Sequence, residues 1–100
     1  MPFEQLTPRS LTASSIRANA PAASGLFGIS NAREWIYIGE SDNIQATLLG
    51  YLQGGDASLM KRQPTGFVFE VCDPAGRSGR QDRLVLEYGP TCNRHSSRCL

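Results

Sequence analysis

The chain has no long apolar run. Its hydrophobic stretches are strand-sized, well short of the roughly 18 residues that a bilayer-spanning helix needs, which excludes a membrane span. Residues 1–22 contain no basic segment followed by an apolar core, so no secretory signal is expected. Charge of one sign is also lacking: 10 Lys and Arg against 9 Asp and Glu leave a formal net charge of +1, and no protein-wide basic field speaks for nucleic acid. Cysteine is scarce. Three residues, an odd number without paired spacing, do not make a disulfide framework and fit a reducing, cytoplasmic setting. There is no internal repeat and no low-complexity tract, and 100 residues hold one domain with a single core.

Two local clusters stand out against this background. Cys92-x2-His95-x3-Cys99, with Cys72 as a fourth candidate, has the ligand types that tetrahedral zinc takes. It lacks a C-x-x-C knuckle and lies in a polar tail, so a buried or tail cysteine beside an exposed histidine is the simpler reading. Arg77, Arg80, Arg83, Arg94 and Arg98 face only Asp82 and Glu87 in the last quarter of the chain. Guanidinium groups suit phosphate through their planar donor fork, which makes Arg77, Arg80 and Arg83 the candidate nucleic-acid contacts; a solvated helix face is the plainer alternative.

Residues 1–23 mix Pro, Ser, Thr and Ala without helical or alternating periodicity and read as an extended lead-in. From Gly25 the texture changes. Residues 25–30 and 35–39 are short apolar runs, the second rich in aromatic and β-branched types, joined by the polar turn 31–34: a hairpin. Asp42-x-x-Gln45 approximates a capping box, and Ile44, Leu48, Tyr51 and Leu52 recur at helical spacing, predicting a helix over 43–52 closed by Gly54-Gly55. Residues 56–62 have room for a further helical turn or two. Phe67, Phe69 and Val71 alternate as a third strand. Asp73-Pro74 opens a last helix over about 75–88, with Gln81, Leu84, Val85 and Tyr88 on one face and Gly89-Pro90 at its end. The expected fold is α+β, β-β-α-(α)-β-α, a three-stranded antiparallel sheet flanked by helices. Trp35 or Ile36 should be buried with Phe67 or Phe69.

Gly25-Leu26-Phe27 and Tyr37-Ile38-Gly39, the helix entry Asp42-Asn43-Ile44 and the closing Tyr88-Gly89-Pro90-Thr91-Cys92-Asn93 follow one another in this order. Residues 24–93 therefore resemble a GIY-YIG nuclease domain, with 94–100 left as a polar tail. The resemblance implies a site of two tyrosines, an arginine and often a histidine from the first helix, and a glutamate from a later helix, around one divalent metal and a scissile phosphate, with Gly25, Gly39 and Asn93 as motif residues. Tyr37 keeps the second tyrosine. Phe27 stands for the first, Thr47 for the arginine, Tyr51 for the histidine and Gln81 for the metal glutamate. Phenyl cannot hydrogen-bond, threonine brings no charge, and a neutral amide is a poor ligand for a hard cation. Glu40 and Glu70 are the carboxylates open to a displaced metal, and Arg80 or Arg83 the replacement charge.

The resemblance thus implies a domain that binds DNA or another nucleic acid with weakened or lost phosphodiester cleavage. The alternatives are an active endonuclease with rearranged groups, using Mg2+ or Mn2+, and a non-catalytic protein-interaction remnant.

Overall fold

The computed structural model describes residues 8–55 and 63–90. Its elements are β1 (Arg9–Ser10), α1 (Ala13–Asn19), β2 (Gly25–Ser30), β3 (Trp35–Ser41), α2 (Ile44–Gly50), a π-helical turn (Tyr51–Gly55), β4 (Gly66–Val71) and α3 (Pro74–Tyr88). The sheet is antiparallel throughout, in the order β1-β4-β2-β3. It has four strands, not three. Arg9 pairs with Phe67 and Ser10 with Gly66, so the segment expected to be an extended lead-in supplies both the added strand and a helix.

Little in the residues around Ile16 advertises that helix. Thr12 caps it, its side chain accepting from the Ser15 amide at 3.2 Å, while burial is left to Ile16 and the flanking Leu11 and Ala20. The next residues are structural too: the Pro21 and Ala23 carbonyls accept the amides of Gln45 and Ile44, so the first turn of α2 is capped by the chain leaving α1. The expected capping box does not form. Asn43 is the cap, accepting from the Ala46 amide at 3.0 Å, and Gln45 instead donates to the Ala20 carbonyl at 3.1 Å.

β2 is the strand buried along its whole length, lying between β3 and β4. Its hairpin closes through Asn31, whose side-chain oxygen accepts the amides of Arg33 at 2.8 Å and Glu34 at 2.9 Å, the usual way asparagine builds a turn. Opposite Ile29 and Ser30 the register jumps from Tyr37 to Trp35. The bulge lets Ile36 and Tyr37 serve the same side of the sheet, while Trp35 and Ile38 serve the other. Two cores result. Ile16, Phe27, Ile29, Ile36, Ile44, Leu48 and Phe67 fill the side covered by α1 and α2, where Ile36 meets Phe67 as expected. Leu26, Ile38, Val68 and Leu84 fill the side covered by α3. Each fully buried aliphatic or Phe side chain contributes about 1.5–3 kcal/mol relative to exposure.

α3 begins at Pro74, whose missing amide proton costs nothing at that position. It ends at Gly89, which takes the left-handed conformation (φ 56°, ψ 52°) and donates to the Val85 carbonyl. Residues 56–62, expected to add a helical turn, lie outside the described residues.

Candidate functional site

Phe27 on β2 faces Gly39 on β3 across the ladder. A Cβ on Gly39 would lie 2.6 Å from the Tyr37 ring and 2.8 Å from the Phe27 ring: the glycine is there because two aromatic rings close over its Cα. Gly25 has a parallel reason. A Cβ there would collide with the Glu70 carbonyl oxygen and come within 2.8 Å of Ile44. Both motif glycines therefore mark close approaches.

Tyr51 supplies a third ring. Its centroid is 5.9 Å from Phe27 and 6.3 Å from Tyr37, and Phe27 lies 5.9 Å from Tyr37, within the range of favourable aromatic pairs. Tyr51 opens the π-helical turn, a departure from α-geometry that recurs at functional sites. Thr47, one helical turn earlier, shares a hydrogen bond with the Ser41 hydroxyl at 2.6 Å, and Ser41 also accepts the Asn43 amide at 2.9 Å. The structure thus brings Phe27, Tyr37 and Tyr51 into mutual contact, Phe27 buried and the two tyrosines half-buried, with Thr47 on the preceding turn of α2.

Gln81 approaches from the other side. Its amide donates to the Ile38 carbonyl of the outermost strand at 3.0 Å, between Tyr37 and Gly39 in sequence. Gln81, which the resemblance sets at the metal-ligand position, acts as a fastening between α3 and β3.

The carboxylates and arginines are largely engaged with one another. Glu70 and Arg80 form a two-pronged ion pair, Nε to Oε2 at 2.7 Å and Nη2 to Oε1 at 2.8 Å, with side chains only 14% and 18% exposed. Arg77 bonds Glu40 Oε1 through Nε at 3.0 Å and, through Nη1, Asp42 at 2.6 Å, the Ser41 carbonyl at 2.9 Å and the Ser24 hydroxyl at 3.1 Å. Glu40 accepts from Ser78 as well, at 3.1 Å. The hydrogen bond to Asp42 raises the Arg77 guanidinium above its ordinary value, against desolvation, with Glu40 adding to the rise; Glu70 does the same for Arg80. Arg83 is exposed. The Arg77 hub links residues 35, 37 and 53 positions apart, and no periodicity or spacing signals it.

Among the described residues no group of three or more His, Cys, Asp or Glu side chains is placed to hold a metal ion. Cys72 is a half-buried free thiol. Cys92, Asn93, His95 and Cys99 lie outside the described residues. No described helix is long and apolar enough to cross a membrane.

An antiparallel sheet with one glycine-floored hairpin, a short helix leaving the second strand and a long helix behind gives the chain a GIY-YIG-like fold. No family model and no curated protein matches the chain. Among solved structures it is similar to the GIY-YIG N-terminal endonuclease domain of UvrC from Thermotoga maritima bound to its catalytic divalent cation, magnesium: 21% identity, 76% of this chain, 92% of that chain, TM-score 0.65. Two point mutants of that domain, one a tyrosine-to-phenylalanine and one an asparagine-to-alanine variant, each with the catalytic divalent cation bound, match over 76% of this chain and 91% of theirs at 22% and 21% identity, both with TM-score 0.65. The likeness is one of fold.

Proposed function

We propose that this GIY-YIG-like domain binds nucleic acid and no longer cleaves it. The reading rests on Gln81. In the resemblance this position carries the metal carboxylate; here it carries a neutral amide whose Nε2 is spent on the Ile38 carbonyl. The residues present do not fit a catalytic Mg2+ or Mn2+: Glu40 and Glu70, the other candidate ligands, already serve Arg77 and Arg80, and hard cations need several oxygen ligands, carboxylates foremost. Thr47 offers a hydroxyl bonded to Ser41 in place of a guanidinium. Loss of one preorganised charge-stabilising group typically lowers a rate by roughly 10²–10³-fold, and here two are missing. Nucleic acid as the ligand is supported by the likeness to an endonuclease domain and by the exposed Arg83 and partly engaged Arg77 on α3.

The test uses labelled DNA with the purified protein. Fluorescence anisotropy should show salt-sensitive binding that is the same in EDTA and in Mg2+ or Mn2+, and denaturing gels should show intact DNA. Metal-dependent cleavage that disappears in Tyr37→Phe would overturn the proposal and establish an active enzyme with rearranged groups.

A further inference from the structure

Of the three arginines on α3, two are ion-paired in different ways. Arg80 uses Nε and Nη2 on both oxygens of Glu70, and both side chains are mostly covered. Such a two-pronged, partly desolvated pair is costly to open, because each charge would be left without its partner. Arg77 is held unevenly. Nε goes to Glu40, while Nη1, which has two protons, faces three acceptors: Asp42, the Ser41 carbonyl and the Ser24 hydroxyl. Nη2 makes no hydrogen bond among the described residues. The Asp42 carboxylate that completes the set is 89% exposed, against 15% for the Arg77 side chain. An ion pair whose acid stands in water is screened and weakly held.

We infer that Arg77 is a phosphodiester contact masked by Asp42: the exposed carboxylate occupies one prong of the guanidinium in the free protein, and a backbone phosphate of bound nucleic acid displaces it, spanning Nη1 and Nη2. The inference rests on the nucleic-acid reading above. The phosphate gains what the carboxylate lacks here, a bidentate grip on the end of the fork, while Glu40, Ser24 and the Ser41 carbonyl keep the guanidinium aimed. Asp42 swings into solvent, where it is already hydrated. Arg80 stays closed on Glu70, and Arg83 adds an unspecific charge. Binding strength is thereby set by an acid at the start of the loop into α2, 35 residues from the arginine it covers.

The experiment is fluorescence anisotropy with a labelled DNA duplex and the corresponding single strand, over a salt series. Asp42→Asn should bind about three- to tenfold more tightly at a slope of log K against log salt close to that of the wild type, since the same phosphate is contacted in both. Asp82→Asn, the same charge change on an exposed acid of α3 that makes no bond to Arg77, should gain clearly less. Arg77→Ala should cancel the gain of Asp42→Asn. Arg77→Lys, which keeps the charge and guards against misfolding of the alanine variant, should cancel most of it, since an ammonium has no fork. Equal gains in Asp42→Asn and Asp82→Asn, or a gain that survives both Arg77 substitutions, would overturn the mask while leaving nucleic-acid binding in place. Failure of both wild type and Asp42→Asn to bind either DNA would overturn the binding reading and the mask together.

Discussion

Gly39 owes its place to the rings of Phe27 and Tyr37, so its substitution reports on the packing of those rings directly. Gly39→Ala forces rings off their rotamers or the strand off its ladder, an overpacking expected to cost about 1–3 kcal/mol, read as a lower urea midpoint. Gly79 is the counterexample. It lies inside α3, where a methyl group would meet nothing within 4 Å, so Gly79→Ala should raise stability by about 0.5–1 kcal/mol. Gln81→Glu tests the site more deeply. It replaces the donor to the Ile38 carbonyl with an acceptor, and the loss of that hydrogen bond costs about 0.5–1.5 kcal/mol; thermal melts should show the loss, and Mg2+ should restore part of it. With Thr47→Arg added, DNA cleavage in Mg2+ should rise by more than the two single effects combined, since neither group completes the site alone. An inactive double variant would put the defect in the placement of the remaining groups. At this scale residue type alone shows that Phe27 has no phenol, Thr47 no charge and Gln81 no carboxylate. It is silent on what those side chains do instead, because Ser41 with Thr47, Gln81 with Ile38 and Arg77 with Asp42 are partnerships made by tertiary proximity.

α1 shows where reading by periodicity stops. The helix is 7 residues long, fewer than two full turns beyond its cap, and buries a single Ile; a stripe of apolar residues cannot form in so short a span. Its one local sign was Thr12, a good cap three residues before a small polar residue. Ile16→Ala should cost about 2–5 kcal/mol, by urea titration, although the residue sits in a segment that looks like a tail. A change below about 0.5 kcal/mol, the usual surface value, would mean that α1 is dispensable. By contrast β2, β3, β4 and α3 were legible because each carries its own signal: alternation, aromatic and β-branched residues, or the Asp-Pro start and Gly-Pro stop. The bulge at Ile36 explains why alternation alone misassigns β3, since two successive residues serve one side.

The described residues form one sheet with a separate core on each face. Ile16→Val on one side and Ile38→Val on the other should each cost about 0.5–1.5 kcal/mol, and the double variant should match their sum within about 0.5 kcal/mol, because the two side chains belong to different cores. Both losses should nevertheless appear in a single unfolding transition, as expected for a domain of this size whose faces are joined by the same backbone ladder. Non-additivity above about 1 kcal/mol would show that strain passes through the sheet.

Trp35, the one tryptophan in the chain, lies 4.8 Å from Tyr88 in the last turn of α3, ring planes at 48°. That contact belongs wholly to the face away from α1 and α2. The unlabelled protein consequently carries an optical gauge: indole emission reads whether the far end of α3 is seated on β3, and is blind to events around Tyr51. In global unfolding its midpoint should coincide with that of circular dichroism, whereas a ligand that only displaces Asp42 from Arg77, near the opposite end of the same helix, should leave the emission maximum where it was.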